Sequence, residues 1–227
     1  MSGLRSAAGQ MAGLLLDFIF RFRVALAWTV GICGFVLARP SALSILIGSV
    51  WAGIGLGWRA WAAGNICKNV EMATAGPYAL SRHPLYFGNL MLACGFGAAS
   101  GRVIVFAAIS LLALGIFVPL MRREEAAMLD LFGERYRQYM RAVPPLVPAL
   151  RRASWGGFSW RQYLANHEYN AAIGYCAAVG ALIAIHRSPA VAAGWGLRCP
   201  ALMDRARHLR YEIGFGNAIK FTRRKAR

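Results

Sequence analysis

Acidic side chains are scarce in this chain of 227 residues: nine Asp and Glu stand against 26 Lys and Arg, for a formal net charge of +17. Lysine is nearly missing as well, at 3 Lys to 23 Arg. Charged residues make up only 15%, well below the roughly 25% of a soluble domain. A soluble protein this basic would suggest nucleic acid, but no recognition module is present. The basic residues instead sit beside apolar segments and in the C-terminal tail, as the positive-inside rule and attraction to anionic lipid headgroups would arrange them. No nucleic-acid partner is expected. Cysteines are few and unpaired by spacing: Cys33, Cys67, Cys94, Cys176 and Cys199 are odd in number and mostly embedded in apolar windows. That excludes a disulfide framework and a zinc motif, no metal is expected, and the thiols read as small buried hydrophobes. Also missing are tandem repeats, low-complexity tracts and a small-residue signal cleavage site, so the apolar stretch 11–22, with Asp17 and Arg21, reads as an interfacial lead-in helix.

What the chain has in quantity is apolar surface, 58% of residues with a mean hydropathy of +0.44. This predicts an all-α, multi-pass transmembrane helical bundle with about 4 to 6 membrane segments, each needing about 20 apolar residues or somewhat fewer. Three regions are expected: an interfacial segment 1–23, a membrane core 24–148, and a basic C-terminal extension 149–227 with one or two membrane segments. Within the core, spans are predicted over 24–38, 42–58, 84–100 and 103–121. The second is rich in glycine (Gly48, Gly53, Gly55, Gly57), which permits close helix approach, and Trp51, Trp58 and Trp61 near its end read as an interfacial belt. A fifth span is predicted over 169–185, with a short return over 189–203. The excess of Arg over Lys and the abundance of Ala fit a GC-rich bacterial genome, and hence an inner membrane.

Polar chemistry concentrates at one boundary. The loop Gly76-Pro77-Tyr78, followed by Arg82-His83-Pro84-Leu85-Tyr86, opens the third span. Pro84 suits a first helical position, which puts His83 near the cap. Ionisable groups beside hydrocarbon are costly and point to function. The fourth span is followed by Glu124-Glu125, and a short connection near Gly101 makes spans three and four an antiparallel pair that brings these acids to Arg82 and His83. Downstream, Glu125, Leu129, Phe132, Tyr136, Tyr139 and Val143 recur at spacings of four and three, a helical stripe that ends at Pro144-Pro145. Gly133 within it marks a bend or a close approach. His167-Glu168 reads as an interfacial pair with no spaced partner. On spans alone, a small transporter or membrane scaffold would be the alternative, but transporters tend to show repeats and midplane helix breaks.

Two signatures in order, Gly76-Pro77-Tyr78…Arg82-His83-Pro84…Tyr86…Gly88 and then Glu124-Glu125…Phe132-Gly133…Tyr136…Tyr139…Val143-Pro144, resemble those of the integral membrane methyltransferases. These include isoprenylcysteine carboxyl methyltransferase and the phospholipid N-methyltransferases. The resemblance covers residues 64–148. It implies S-adenosylmethionine at the cytosolic face, bound on a helix that follows the fourth span, and a lipophilic acceptor entering from the bilayer: an isoprenylcysteine-like carboxylate, a phospholipid amine or another apolar small molecule. By the resemblance, Arg82, His83 and the start of the Pro84 helix would meet the cofactor's carboxylate. Glu125, with Glu124, would meet its ammonium and ribose, and the rings of Tyr78, Tyr86 or Tyr136 its sulfonium. His83, Arg82 and Glu125 would be the catalytic set. Where the family often has a basic residue after the closing Val-Pro, this chain has Pro145.

Overall fold

The computed structural model of the protein describes residues 21–22, 25–66, 72–149 and 157–188. The lead-in helix, apart from the helical residues 21 and 22, lies outside the described residues, as do Cys67, Cys199, Arg151, Arg152, Trp155 and the return over 189–203. Contacts divide the chain into a unit of residues 1–186 and a second of 187–227, of which only 187 and 188 are described.

Among the described residues every regular element is a helix. They are α1 (Ala25–Leu37), α2 (Ala42–Ala63), α3 (Pro77–Leu80), α4 (Pro84–Ala99), α5 (Val103–Ala142), α6 (Trp160–Ala165) and α7 (Tyr169–Arg187). α2, α5 and α7 are long and apolar enough to cross a membrane, while α1 and α4 are shorter apolar helices. Outward faces carry Trp28, Ile32, Leu46, Val50, Ile54, Ile104, Leu111 and Ile173, all exposed. Such a surface is tolerable only against lipid, so the chain is an integral membrane protein. Cys33 and Cys176 are exposed too, which overturns their reading as buried residues. An apolar window says that a thiol lies in the membrane layer, not whether it faces protein or lipid.

α2 starts at a capping box, in which Ser41 and Ser44 satisfy each other's backbone N–H groups. It packs most extensively against α4, and the contact is made of small residues, Gly48, Ala52 and Gly55 against Gly88, Gly95 and Ala99. A Cβ on Gly48 would overlap the backbone of Gly95 and Ala99, so the two backbones touch directly. Without a hydrophobic drive between helices in lipid, such close packing is what holds them. At the end remote from Arg82 and His83, Arg39 N–H donates to the Ser100 carbonyl (2.8 Å) and His186 Nδ1 contacts the Pro40 carbonyl (3.0 Å). These bonds tie the α1–α2 turn, the α4–α5 turn and the end of α7 together.

Two boundaries differ from expectation. α2 runs five residues past Trp58 and so carries Arg59 inside a helix end. The stripe after the fourth span begins in the same helix as the span: α5 continues from the membrane to a kink at Gly133 (φ 53°, ψ −126°), and a further helical stretch runs from there to Ala142. Nothing lies within 4 Å of a Cβ built on Gly133, so its role is the bend and not a close approach.

Candidate active site

The loop between α3 and α4 is fixed by backbone atoms of the segment after α5. Arg82 N–H donates to the Pro144 carbonyl (2.9 Å), His83 N–H to the Pro145 carbonyl (3.1 Å), and Ala149 N–H to the Leu80 carbonyl (2.9 Å). Ser81, fully buried, adds hydroxyl bonds to the carbonyls of Leu146 (2.9 Å) and Pro145 (3.3 Å). Pro145 thus contributes a carbonyl, which requires no basic side chain. Pro84 is the first residue of α4, and His83 occupies its N-cap with no side-chain cap bond. Its ring is free to reach α5.

There the antiparallel α4–α5 pair brings the expected groups together. Arg82 Nη1 lies 3.2 Å from Glu125 Oε1, with side chains 9% and 15% exposed. His83 Nε2 is 3.1 Å from the same oxygen and its Nδ1 is 3.6 Å from Glu124 Oε2. A neutral imidazole donates from one nitrogen only, so both contacts are donor contacts only in the protonated ring. The Tyr86 hydroxyl donates to Glu124 Oε1 at 2.5 Å. Burial pushes the Glu124 carboxyl up, but the hydrogen bonds from His83 and Tyr86 and the His83 charge outweigh it and hold the carboxyl below its ordinary value.

The tyrosines line the cluster. Tyr136 is buried on the stripe that includes Glu125, its ring centroid 5.7 Å from that of Tyr139. The Tyr139 hydroxyl donates to the Tyr78 carbonyl at 2.6 Å, joining α5 to α3. Burial pushes the hydroxyls of Tyr78 and Tyr139 up, keeping them protonated donors. Against this ordered network three buried atoms stand out: Arg82 Nε and Nη1 and the Tyr78 hydroxyl have no hydrogen-bond partner. Arg82 Nη1 is near Glu125 but not aligned for a bond.

Comparison with known proteins bears on this constellation. Residues 43–135 match the phospholipid methyltransferase family. The match contains Tyr78, Arg82, His83, Pro84, Tyr86, Glu124 and Glu125, and the resemblance expected from the sequence holds over this stretch. Protein-S-isoprenylcysteine O-methyltransferase of Schizosaccharomyces pombe is 35% identical over 84 residues, 36% of each chain. Methanethiol S-methyltransferase of Pseudomonas deceptionensis is 37% identical over 75 residues, 33% of this chain and 28% of that protein. Cobalt-zinc-cadmium resistance protein CzcN of Cupriavidus metallidurans is 29% identical over 170 residues, 69% of this chain and 77% of its own. Over the matched stretch the chain is therefore similar to membrane methyltransferases, and it spans about a third of the two named for that activity. No solved structure matches it.

Two features escaped the sequence reading. One is Glu168: far from lacking a partner, it is bound by Arg59 at 2.7 Å. The only signal was a lone buried-looking Arg near a helix end, and its partner is 109 residues away. The other is an apolar cavity of about 280 Å³ among α1, α4, α5 and α7, lined by residues including Val30, Phe35, Phe96, Ile116, Phe117 and Leu182. Phe117 packs on Tyr86 at 5.3 Å between ring centroids, so the cavity wall touches the polar cluster. Among the described residues no group of three His, Cys, Asp or Glu side chains could hold a metal.

Proposed function

We propose that the protein transfers a methyl group from S-adenosylmethionine to a lipophilic acceptor at the cytosolic face of a bacterial inner membrane. The observation that carries this reading is the buried Arg82, with two N–H atoms unpartnered, set beside the carboxylates Glu124 and Glu125. A buried guanidinium with free donors is costly until an anion completes it, and an amino-acid carboxylate fits its fork. The residues present therefore suit the zwitterionic end of S-adenosylmethionine. Arg82, with backbone N–H groups at the start of α4, would hold the carboxylate, and Glu125 the ammonium or ribose. Ring faces of Tyr78, Tyr86 and Tyr136 would face the cationic sulfonium.

The bound cofactor would supply an activated methyl group on a good leaving group. What this chain contributes is orientation, and a well-placed acceptor gains several kcal/mol from proximity alone. The apolar cavity against Phe117 and Tyr86 would take the acceptor's hydrocarbon part. A carboxylate acceptor needs no base. An amine must lose a proton, and neutral His83 or one of the two glutamates beside it is the candidate to receive it. Basic flanking residues would favour anionic headgroups around the protein.

The test is transfer of radiolabelled methyl from S-adenosylmethionine in membranes containing the protein and a native lipid extract, followed by mild alkali. Label above a His83→Ala control supports the reading. Volatile label released by alkali identifies an ester, and label retained in lipid identifies an N-methyl or other stable product. No label above the control, with a full range of bacterial lipids supplied, refutes it.

A further inference from the structure

The apolar cavity of about 280 Å³ lies along α5. Val105, Ile109, Leu112, Ala113, Ile116 and Phe117 line it at spacings of four, three, one, three and one, a continuous stripe on one face of a helix. At a rise of about 1.5 Å per residue the stripe from 105 to 117 is about 18 Å long, slightly more than the roughly 15 Å that the tails of one leaflet fill in a core of about 30 Å. Across from it stand Gly31 and Gly34 of α1 and Ala93 and Phe96 of α4. Ser100 has the one polar side chain among the lining residues, and its hydroxyl donates to the Gly97 carbonyl at 2.6 Å. The walls therefore offer nothing to a polar ligand.

The two ends of this groove are unlike. At Phe117 it meets the polar cluster, because that ring packs at 5.3 Å on Tyr86, whose hydroxyl donates to Glu124. The other end is closed. There Leu182 of α7, 2% exposed, joins a core with Ala38, Ile45 and Ala99, and Phe35 and Phe96 pack against that core. Gly34 brings α1 close to α5 at the same level, since a Cβ built on it would stand 3.3 Å from Val105 Cγ1. α7 is seated by Tyr175, whose hydroxyl donates to the Ser49 carbonyl (3.0 Å) and whose ring lies 6.0 Å from that of Phe96, and by the contact of His186 with the Pro40 carbonyl. The groove thus runs from the polar cluster to a fixed floor.

The α4 and α5 residues of the groove lie inside the stretch that matches the family, whereas α1 and α7 lie outside it. A small apolar acceptor would need only the end beside Tyr86. Walls from four helices along three turns of α5 suit an occupant as long as a lipid tail. Lipid and groove are equally apolar, so a chain gains little by transfer alone and selection rests on fit. A chain that overruns the floor must displace packed side chains, which is costly.

We propose that this groove measures the methyl acceptor: it takes one long hydrocarbon chain lengthwise, with the reacting head beside Tyr86 and the chain end against Phe96 and Leu182, which set the longest chain accepted. This rests on the methyltransferase reading above and narrows its acceptor to a long-chain lipid. Gly31 is the place from which the groove can be blocked, because it lines the cavity within α1 and nothing lies within 4 Å of a Cβ built on it. None of the residues assigned to the cofactor lies on α1 or α7.

The experiment uses the full chain in phosphatidylglycerol nanodiscs, as wild type, Gly31→Ala, Gly31→Phe and Leu182→Ala. The probes are saturated fatty acids of increasing length, each with a terminal diazirine, and cross-links are mapped by mass spectrometry. In wild type the probes should label the inward residues Phe96, Ser100 and Leu182 up to a limiting length, while the exposed Leu46 and Val50 report labelling from bulk lipid at every length. Inward labelling should fall about tenfold or more in Gly31→Phe, since even one methylene in an apolar pocket discriminates about tenfold, and should persist in Gly31→Ala. Leu182→Ala should move the limit to longer chains. Methyl transfer to a native lipid extract should fall with inward labelling in Gly31→Phe, with S-adenosylmethionine binding at the wild-type level. Labelling confined to outward residues in wild type, or undiminished inward labelling in a folded Gly31→Phe, would overturn the proposal. So would lost inward labelling with transfer unchanged, which would mark a resident lipid and not the acceptor. If Gly31→Phe does not fold, an unchanged length limit in Leu182→Ala overturns it. Inward labelling with a length limit that Leu182→Ala moves, in a protein whose wild type transfers no methyl group, would uphold the groove as a chain site and overturn the methyltransferase reading instead.

Discussion

Replacing Arg82 by Gln tests the site where stability and binding pull apart. The ion pair it breaks is nearly desolvated, with Arg82 9% and Glu125 15% exposed. Removing one partner of a buried pair costs about 3–5 kcal/mol, because the other charge stays buried without compensation. Glu125 would keep His83 Nε2 at 3.1 Å, so the lower end, about 3 kcal/mol, is expected. In a chain of this size that lowers the thermal midpoint by roughly 6–12 °C. Affinity for S-adenosylmethionine should fall further than stability explains: a hydrogen bond to a charged group contributes about 1.5–3 kcal/mol, or roughly 10- to 150-fold in Kd. The assay is thermal unfolding by circular dichroism in nanodiscs, beside equilibrium binding of labelled cofactor below the midpoint. The double variant Arg82→Met with Glu125→Leu removes both charges, and its midpoint should return to within a few degrees of wild type, but binding should not return. Wild-type affinity in that double variant would refute the assignment, and a midpoint drop under about 2 °C in Arg82→Gln would refute the burial argument.

Gly133→Ala should cost about 1–3 kcal/mol through the backbone alone, since φ 53° and ψ −126° suit glycine and nothing stands within 4 Å of the new Cβ; an unchanged midpoint would mean that α5 runs straight there. Gly48→Ala should lose on the order of 1–3 kcal/mol by overpacking, as its Cβ meets the backbone of α4, and a wild-type midpoint would count against that contact. For Glu124, burial raises the carboxyl pKa but the bonds from His83 and Tyr86 and the His83 charge lower it further, so the folded value lies below the ordinary 4.5. A depressed carboxyl stabilises the fold above its unfolded pKa and loses that contribution as pH falls through the folded pKa. Acid titration of the midpoint should therefore be shallower in Glu124→Gln than in wild type, and parallel curves would sink the claim.

The polar end of the bundle was legible because its signals are local. Pro84 at a first helical position fixed the α4 cap, and a short α4–α5 turn was enough to bring Glu124 and Glu125 to Arg82 and His83. Long-range compensation was not legible. α2 continues past Trp58 and carries Arg59, whose charge is met by Glu168 from 109 residues away. The clamp on the Arg82-His83 loop was invisible for a different reason: it is made by the carbonyls of Pro144, Pro145 and Leu146, and a sequence displays side chains. The outward-facing Cys33 and Cys176 show the third gap, since lipid and protein interior are equally apolar environments.

Two ion pairs near one membrane face differ in a way that assigns them different work. Arg59 and Glu168 satisfy each other, with Asn89 completing the guanidinium. An additional ligand would gain little from them. Arg82, as deeply buried, is left with Nε and Nη1 unmatched, and Tyr78 with its hydroxyl unmatched. Each buried unsatisfied donor costs about 1–3 kcal/mol, which a bound anion would recover. The loop that carries them is held by five hydrogen bonds to the segment after α5, so the open valences are fixed in place. Under the proposed methyltransferase reading, the closed Arg59–Glu168 pair has nothing left to offer a ligand, and the open donors of Arg82 are where an anion would bind.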